Sequence, residues 1–463
     1  MAHQPHHRSR SEGESPALIG RGETIAAIAT PAGRGGVGVV RASGPKARAI
    51  AEAVVGSVPK ARHATLATFL AADGGIIDQG IALFFVAPHS YTGEDVLELQ
   101  GHGGPVVMQL LLRRCIELGA RVAEPGEFTR RAYLNERLDL AQAESVADLI
   151  DASSVEAARS AARSLAGEFS ARVHRLVEEL TQLRVHVEAC IDFPEEEIDP
   201  ADRRWQQEKL AHLRGQMLTL FDEARQGAVL RDGITVVLVG RPNVGKSSLL
   251  NRLAGDELAI VTPVPGTTRD YVRATVSLEG VPVHLIDTAG LRDTADEVER
   301  IGVERTWLAV RDADAAMFIE DSLGASSEDI ALRSRLPREI PVARVINKID
   351  MGSERPGRVD VAAMTELRVS AKTGAGIPEL RSWLLEVAGW RPHGEGLFMA
   401  RERHLDALRE ASTSLEGASL SAQPFELQAE ELRLAQGALG RITGEVGPNE
   451  LLGEIFSRFC IGK

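Results

Sequence analysis

At 463 residues the chain has room for about three domains, each large enough to bury a core. Hydrophobic residues at 44% and charged residues at 26% are ordinary for a globular protein, and aromatics at 4% disfavour a surface that stacks many bases. The net charge of −13 argues against broad, nonspecific nucleic-acid binding, and no run of about twenty apolar residues offers a membrane span.

In chain order, residues 1–20 are polar and rich in His, Arg and Ser, without the apolar core of a signal peptide. They read as a disordered extension; a short transit peptide is the alternative, weakened by Glu12 and Glu14. From about 23 to 137, short apolar runs (25–30, 37–41, 81–86, 96–100) alternate with Gly and Pro, and 105–118 has helical texture. That is α+β texture. From 138 the composition turns to Ala, Glu, Leu and Arg. Val173, Leu176, Val177, Leu180, Leu183 and Val187 recur at helix spacing until Asp192-Phe-Pro194 stops the run. A further helix is predicted over about 205–226. Strands and helices alternate from 234 to about 390, the pattern of a parallel sheet with helices on both faces. Helical texture resumes at 401, with Leu405, Leu408, Leu415, Leu432, Leu434 and Leu439. The expected fold is therefore multidomain, α/β plus α+β. Its pieces are an N-terminal α+β domain (21–137), a discontinuous helical domain (138–231 and 392–463) and an inserted phosphate-loop domain (232–391).

The chemistry concentrates in that insert. Gly240-Arg-Pro-Asn-Val-Gly-Lys-Ser247 fits GxxxxGK[ST] between a strand-like run and a helix. In that context backbone N–H groups cradle phosphates, Lys246 reaches the outer ones and Ser247 offers a hydroxyl to Mg²⁺. Alone this leaves ATP and GTP open. Thr267-Thr268, Asp287-Thr-Ala-Gly290 and Asn347-Lys-Ile-Asp350 follow in order and select GTP, because a carboxylate at Asp350 accepts both N–H groups of guanine's Watson–Crick edge. After the Asp-x-x-Gly turn stands Leu291, where Ras-like GTPases carry a water-orienting Gln. That task passes to one of the carboxylates Asp293, Asp296, Glu297 or Glu299. Asn243 brings a side-chain carbonyl close to the phosphates, where a monovalent cation can supply charge.

Two other patterns are weaker. Gly33-Arg-Gly35-Gly-Val-Gly38 fits GxGxxG, but Val39-Val40-Arg41 continues as a strand, so the dinucleotide reading fails its context. Cys115, Cys190 and Cys460 are too dispersed for a zinc cluster or a disulfide framework, which points to a reducing cytoplasm. The terminal Cys460-Ile-Gly-Lys463 suits a prenylation box poorly. A frayed tail and a functional thiol both stay open for it.

With these motifs the chain resembles the MnmE (TrmE) family of tRNA modification GTPases. The resemblance also rests on 30–38, on Tyr91-Thr-Gly-Glu-Asp-Val-Leu-Glu-Leu-Gln-Gly-His-Gly-Gly104, on Pro125-Gly-Glu-Phe128 and on Phe459-Cys-Ile-Gly-Lys463. It implies an N-terminal folate-binding domain that forms a homodimer, and G domains that pair on GTP. It implies a flavin-carrying (FAD) MnmG-type partner in a heterotetramer, and modification of C5 of the wobble uridine of certain tRNAs. The one-carbon unit would come from a tetrahydrofolate, as the 5,10-methylene or 5-formyl derivative. Carried onto this sequence, the folate contacts are Arg41, Glu98, Arg137 (where family members have Lys) and Lys463. GTP contacts are Asn243, Val244, Gly245, Lys246, Ser247, Ser248, Thr262, Pro263, Val264, Pro265, Gly266, Thr267, Thr268, Asp287, Thr288, Ala289, Gly290, Asn347, Lys348, Asp350, Ser370, Ala371 and Lys372. Magnesium falls to Ser247 and Thr268, potassium to Asn243, Thr262, Val264 and Thr267. Glu299 positions water and Cys460 serves modification. A GTP-dependent ribosome-assembly factor shares the G-domain set. Such a factor would want a basic RNA-binding module with a Gly-x-x-Gly loop after the G domain, and a membrane-remodelling GTPase would want a lipid-binding segment; the sequence offers neither.

Overall fold

The computed structural model describes residues 22–192, 200–255, 274–287, 311, 313–322, 327–335, 340–361, 364–391, 396–419, 424–445, 449–457 and 459–462. They fall into two compact units. One runs to Asp139 and resumes at Pro448; the other is Leu140–Gly447.

The first unit is built on β1 (Ile25–Ile28), β2 (Gly35–Ser43), β3 (Thr65–Leu70), β4 (Ile76–Phe85), β5 (Val96–Gly103) and β6 (Arg121–Val122), in the order β3-β4-β5-β2-β1-β6. Only β1 with β6 is parallel among these pairs. Ile50 and Val54 of α1 (Ala47–Val55) and Leu111 and Cys115 of α2 (Pro105–Glu117) pack with Phe69, Phe84, Leu97 and Leu99. Pro105 suits the first turn of α2, where its missing N–H costs nothing. Alternation along β1 sends Ala26 to that core and Ile25 and Ala27 to the other face. There they meet Phe128 of α3 (Glu127–Leu134). The glycine-rich 33–38 segment runs into β2, with Val39, Val40 and Arg41 extended as expected.

In the second unit the helices are α4 (Leu140–Asp151), α5 (Val155–Leu165), α6 (Glu168–Asp192) and α7 (Pro200–Asp232). The predicted stripe of α6 is the bundle core: Val173, Leu176, Leu180, Leu183 and Val187 are buried, and Val177 packs against them. The sheet that follows comprises β7 (Ile234–Val239), β8 (Ala274–Leu278), β9 (Val281–Asp287), β10 (Ala315–Asp321), β11 (Val342–Asn347), β12 (Gly357–Val361) and β13 (Met364–Arg368). Its order is β12-β13-β11-β10-β7-β9-β8, parallel from β13 to β9 and antiparallel at both edges. The helices α8 (Lys246–Ala254), α9 (Ser327–Ser334) and α10 (Ile377–Val387) accompany it. The chain then returns to the bundle through α11 (Glu402–Ala418) and α12 (Phe425–Thr443), whose Leu405, Leu408, Leu415, Leu432 and Leu439 join the same core. Leu434 does not. It lies two residues from Leu432, on the opposite side of a 3.6-residue helix, and is exposed.

The second helical piece was expected over 392–463, and its last segment packs apart from the bundle helices. The segment from Pro448 groups with the N-terminal unit. Within that unit α13 (Asn449–Ser457) lies against α3, with the Phe456 and Tyr133 rings 6.4 Å apart. The apolar Ile455, Phe456 and Phe459 are buried there. Helical texture says that such a segment needs a partner, but not which one.

Candidate nucleotide site and N-terminal site

β7 is the switch point of the parallel sheet, since β9 lies on one side of it and β10 on the other. Ligands bind at such crevices, beyond the carboxyl ends of the strands. The 240–247 loop leaves β7 at that end and enters α8 through Gly245, whose φ of 99° favours glycine. A Cβ on Gly245 would collide with the Asn347 side-chain amide, and one on Gly240 with the Ile319 carbonyl oxygen. At these two positions the loop packs too closely on Ile319 and Asn347 for any side chain. Lys246, 8% exposed, donates from Nζ to the carbonyls of Gly240 (2.6 Å) and Arg241 (3.1 Å). Ser247 and Ser248 are exposed on the first turn of α8 beside its free N–H groups. Asn243, at φ 65°, is exposed, and its backbone carbonyl accepts from Lys348 Nζ at 2.6 Å.

The base-side elements are tied to this loop. Asn347, 1% exposed, donates from Nδ2 to the Val244 carbonyl (2.9 Å) and accepts the Ala371 N–H on Oδ1 (3.1 Å). Its amide is a tether between two loops. Asp350 is exposed, and the buried Ser370 hydroxyl donates to it at 2.7 Å, which holds the carboxylate in place. Arg241, inside the phosphate loop, is paired at 2.9 Å with the fully buried Asp329 of α9. Asp287 ends β9 opposite Leu238, so its backbone is at the same sheet end. Thr262, Pro263, Val264, Pro265, Gly266, Thr267, Thr268, Thr288, Ala289, Gly290, Leu291, Asp293, Asp296, Glu297, Glu299 and Lys463 lie outside the described residues.

In the N-terminal unit Arg41 and Glu98 face each other across β2 and β5 and are ion-paired at 2.9 Å. The Arg41 guanidinium also lies over two rings, Tyr91 at 5.6 Å and Phe128 at 5.7 Å. Tyr91 is pinned by its hydroxyl to Thr129 at 2.8 Å, and burial, the largest influence, pushes that phenol up. Below, Arg131 joins Glu94 and Glu127, fixing α3 under the pair. The chain terminus reaches this unit. Pro125 and Ile461 form an antiparallel bridge, and the Gly126 N–H donates to the Cys460 carbonyl at 3.4 Å. Gly462 approaches so closely that a Cβ on it would lie 2.5 Å from the Ile28 carbonyl oxygen. Ile28 pairs with Val40, one residue from Arg41, so the tail is seated at the β1–β2 pair. Cys460 is exposed. Arg137 is exposed too, its Cγ near Gly93 in the 91–104 segment.

A third cluster joins the bundle to the nucleotide sheet. Arg231, at the end of α7 just before β7, donates to Asp148 at 2.9 Å. Arg401, just before α11 on the return path, donates to the same carboxylate at 2.7 Å. One turn earlier on α4, Glu144 takes Arg403 at 2.6 Å and has His404 Nε2 at 2.9 Å. Burial works against the Glu144 carboxylate, but His404 and Arg403 outweigh it and hold its pKa well below the usual range. Burial pushes the His404 pKa down, and its Nδ1 accepts the Arg401 N–H at 3.1 Å, which places the ring proton on Nε2. Both crossings of the chain are thus held by one helix. The tip of the β8–β9 hairpin is held as well: the Ser154 hydroxyl, which caps α5, donates to the Gly280 carbonyl at 2.8 Å.

Sequence reading missed the Asp329 anchor, the ring cradle of Arg41 and the Asp148 clamp. Each joins residues far apart in the chain, and no local spacing signals them. Comparison with known proteins identifies relatives over nearly the whole chain. The family model described as the MnmE helical domain matches residues 140–460, and that of the GTP-binding protein TrmE N-terminus matches 24–137. The tRNA modification GTPase MnmE of Ralstonia nicotianae is 60% identical over 460 residues, covering 95% of this chain and 96% of that protein. That of an Azoarcus species is 59% identical over 443 residues, covering 95% and 98%.

Proposed function

This chain belongs to the MnmE family of tRNA modification GTPases, and on that premise we propose a division of labour within it. It is a GTP hydrolase acting in tRNA modification. Hydrolysis belongs to the 232–391 domain, and a folate-dependent modification of the wobble uridine, performed with a flavin-carrying MnmG-type partner, belongs to the N-terminal unit. One observation carries the second half of this reading: Cys460, remote in sequence, is seated in the same unit as the Arg41–Glu98 pair. That supports a shared site for a one-carbon carrier and a thiol. No such pairing serves a ribosome-assembly factor.

The residues present suit the groups this reading needs. The tight loop from Gly240 to Gly245, with Lys246 and the exposed Ser247, suits the phosphates and Mg²⁺ of GTP; Thr268 is assigned as the second metal ligand. Asp350, steadied by Ser370, suits the paired N–H donors of guanine, flanked by Lys348, Ala371 and Lys372. Asn243 with Thr262, Val264 and Thr267 makes an oxygen-rich set for potassium, which supplies positive charge beside the phosphates when bound. Glu299 orients the water that attacks. Arg41 suits a carboxylate or ring oxygen of a tetrahydrofolate, Glu98 its paired N–H donors, and Arg137 and Lys463 its acidic tail. Homodimerisation is assigned to the N-terminal domain and nucleotide-driven pairing to the G domains. Among the described residues no helix is long and apolar enough to cross a membrane.

Calorimetric titration with 5-formyltetrahydrofolate tests the N-terminal assignment. Arg41→Ala and Glu98→Ala should each weaken binding by about tenfold or more, the scale of one charge-assisted hydrogen bond. GDP affinity should stay unchanged. Wild-type folate affinity in both variants would remove these residues from the site.

A further inference from the structure

Arg252 stands on α8, six residues beyond Lys246, and reaches away from the phosphates toward the base side. Its Nε donates to the Ala371 carbonyl at 2.9 Å and its Nη2 to the Lys372 carbonyl at 2.6 Å. A planar guanidinium spanning two successive carbonyls fixes the orientation of the peptide between them, which a flexible ammonium does not. Ala371 is thereby gripped at both polar ends. Its N–H goes to Asn347, itself bonded to the phosphate loop at Val244, and its C=O goes to Arg252 on the phosphate-loop helix. The loop also closes on itself, with Ser370 donating from its N–H to Ala375 and accepting from Gly374, both at 2.8 Å. A prefolded turn with two tethers to one partner behaves as part of that partner.

We infer that Arg252 is a positioning residue for guanine recognition: it locks the 370–372 loop to the phosphate helix so that base and phosphates meet one preorganised surface. This rests on the assignment of 370–372 and Asp350 to the base. Among the described residues Arg252 bonds the Ala371 and Lys372 carbonyls and no group of the 240–247 loop, so its effect falls on retention of the nucleotide and not on the hydrolytic step. Ordering the loop beforehand removes an entropic cost that a loose loop incurs at each binding event.

The test is stopped-flow release of a fluorescent GDP from the full-length protein. Arg252→Ala should speed dissociation about tenfold, the loss of one charged hydrogen bond in a partly exposed setting. Association should stay within about twofold, since such changes fall mainly on dissociation. The rate of GTP hydrolysis at saturation and the unfolding midpoint of the nucleotide-free protein should also hold. Arg252→Lys, which keeps the charge but loses the fork, should fall between wild type and Arg252→Ala. Wild-type release from Arg252→Ala would overturn the inference. So would faster release accompanied by matching losses of hydrolysis and thermal stability in both variants, which would make Arg252 a general structural support. Separately, wild-type protein that held ADP as tightly as GDP would overturn the base-side assignment itself, whatever the variants did.

Discussion

Single residues decide how this nucleotide site departs from the Ras pattern. Leu291 has no group with which to hold water, and Arg241, the arginine inside the phosphate loop, is committed to the buried Asp329. A pinned guanidinium is poorly placed to follow developing charge, so the proposed cation at Asn243 acquires a clear task. Hydrolysis should rise strongly when sodium is replaced by potassium at equal ionic strength, and Asn243→Ala should erase that difference. Glu299→Ala should slow hydrolysis by about 10²-fold or more, the range for loss of a positioned acid–base group, while potassium-dependent pairing of G domains persists. Steady-state rates and sedimentation in the two salts check both statements; equal wild-type rates would remove the cation. The motif residues were legible because phosphate and guanine chemistry demand particular side chains at fixed spacing. What spacing did not reveal was Asn347's part. Its buried amide works on Val244 and Ala371, tying loops that a linear motif presents as separate.

At the scale of elements, periodicity was a good guide wherever one face of a helix is buried. The α6 stripe is the core of the bundle, and the failure at Leu434 is a failure of phase: a second leucine two residues on cannot share its neighbour's face. Charged connections were not legible. Glu144 and Asp148, one turn apart on α4, read as an ordinary polar face, yet they secure Arg231, Arg401, Arg403 and His404 at both chain crossings. Such a clamp has a pH signature. The folded state keeps Glu144 ionised to lower pH than the unfolded chain does, so its contribution is complete above the ordinary glutamate pKa and is lost as pH falls below it. His404 acts in the same direction: its depressed folded pKa means that the unfolded chain protonates first, eroding stability below about pH 6.5. Glu144→Gln should cost about 3–5 kcal/mol at neutral pH, because the buried pair loses its negative charge while the Arg403 charge stays. The gap to wild type should narrow as pH drops below about 4.5. Calorimetric unfolding across that range measures it, and a gap independent of pH would contradict the ionised clamp.

The whole molecule places its chain end far from where sequence order suggests. The last segment, from Pro448, packs on α3 and the β1–β2 pair of the N-terminal unit. Composition marked Cys460 as either frayed tail or functional thiol. A tail bridged to Pro125 and packed through Phe456 and Phe459 is held in place, in the same unit as Arg41 and Glu98. On the reading proposed above, hydrolysis and modification occupy different parts of one chain and meet in one task. Mass spectrometry of wobble nucleosides, in tRNA from a deletion strain complemented with wild type or with Cys460→Ser, tests it most directly. The modified wobble uridine should disappear on deletion and return with wild type. It should stay absent with Cys460→Ser, although the purified variant hydrolyses GTP within about twofold of wild type, because Cys460 lies outside the G domain, whose own groups carry hydrolysis. Unchanged wobble uridines in the deletion strain, or full restoration by Cys460→Ser, would contradict it.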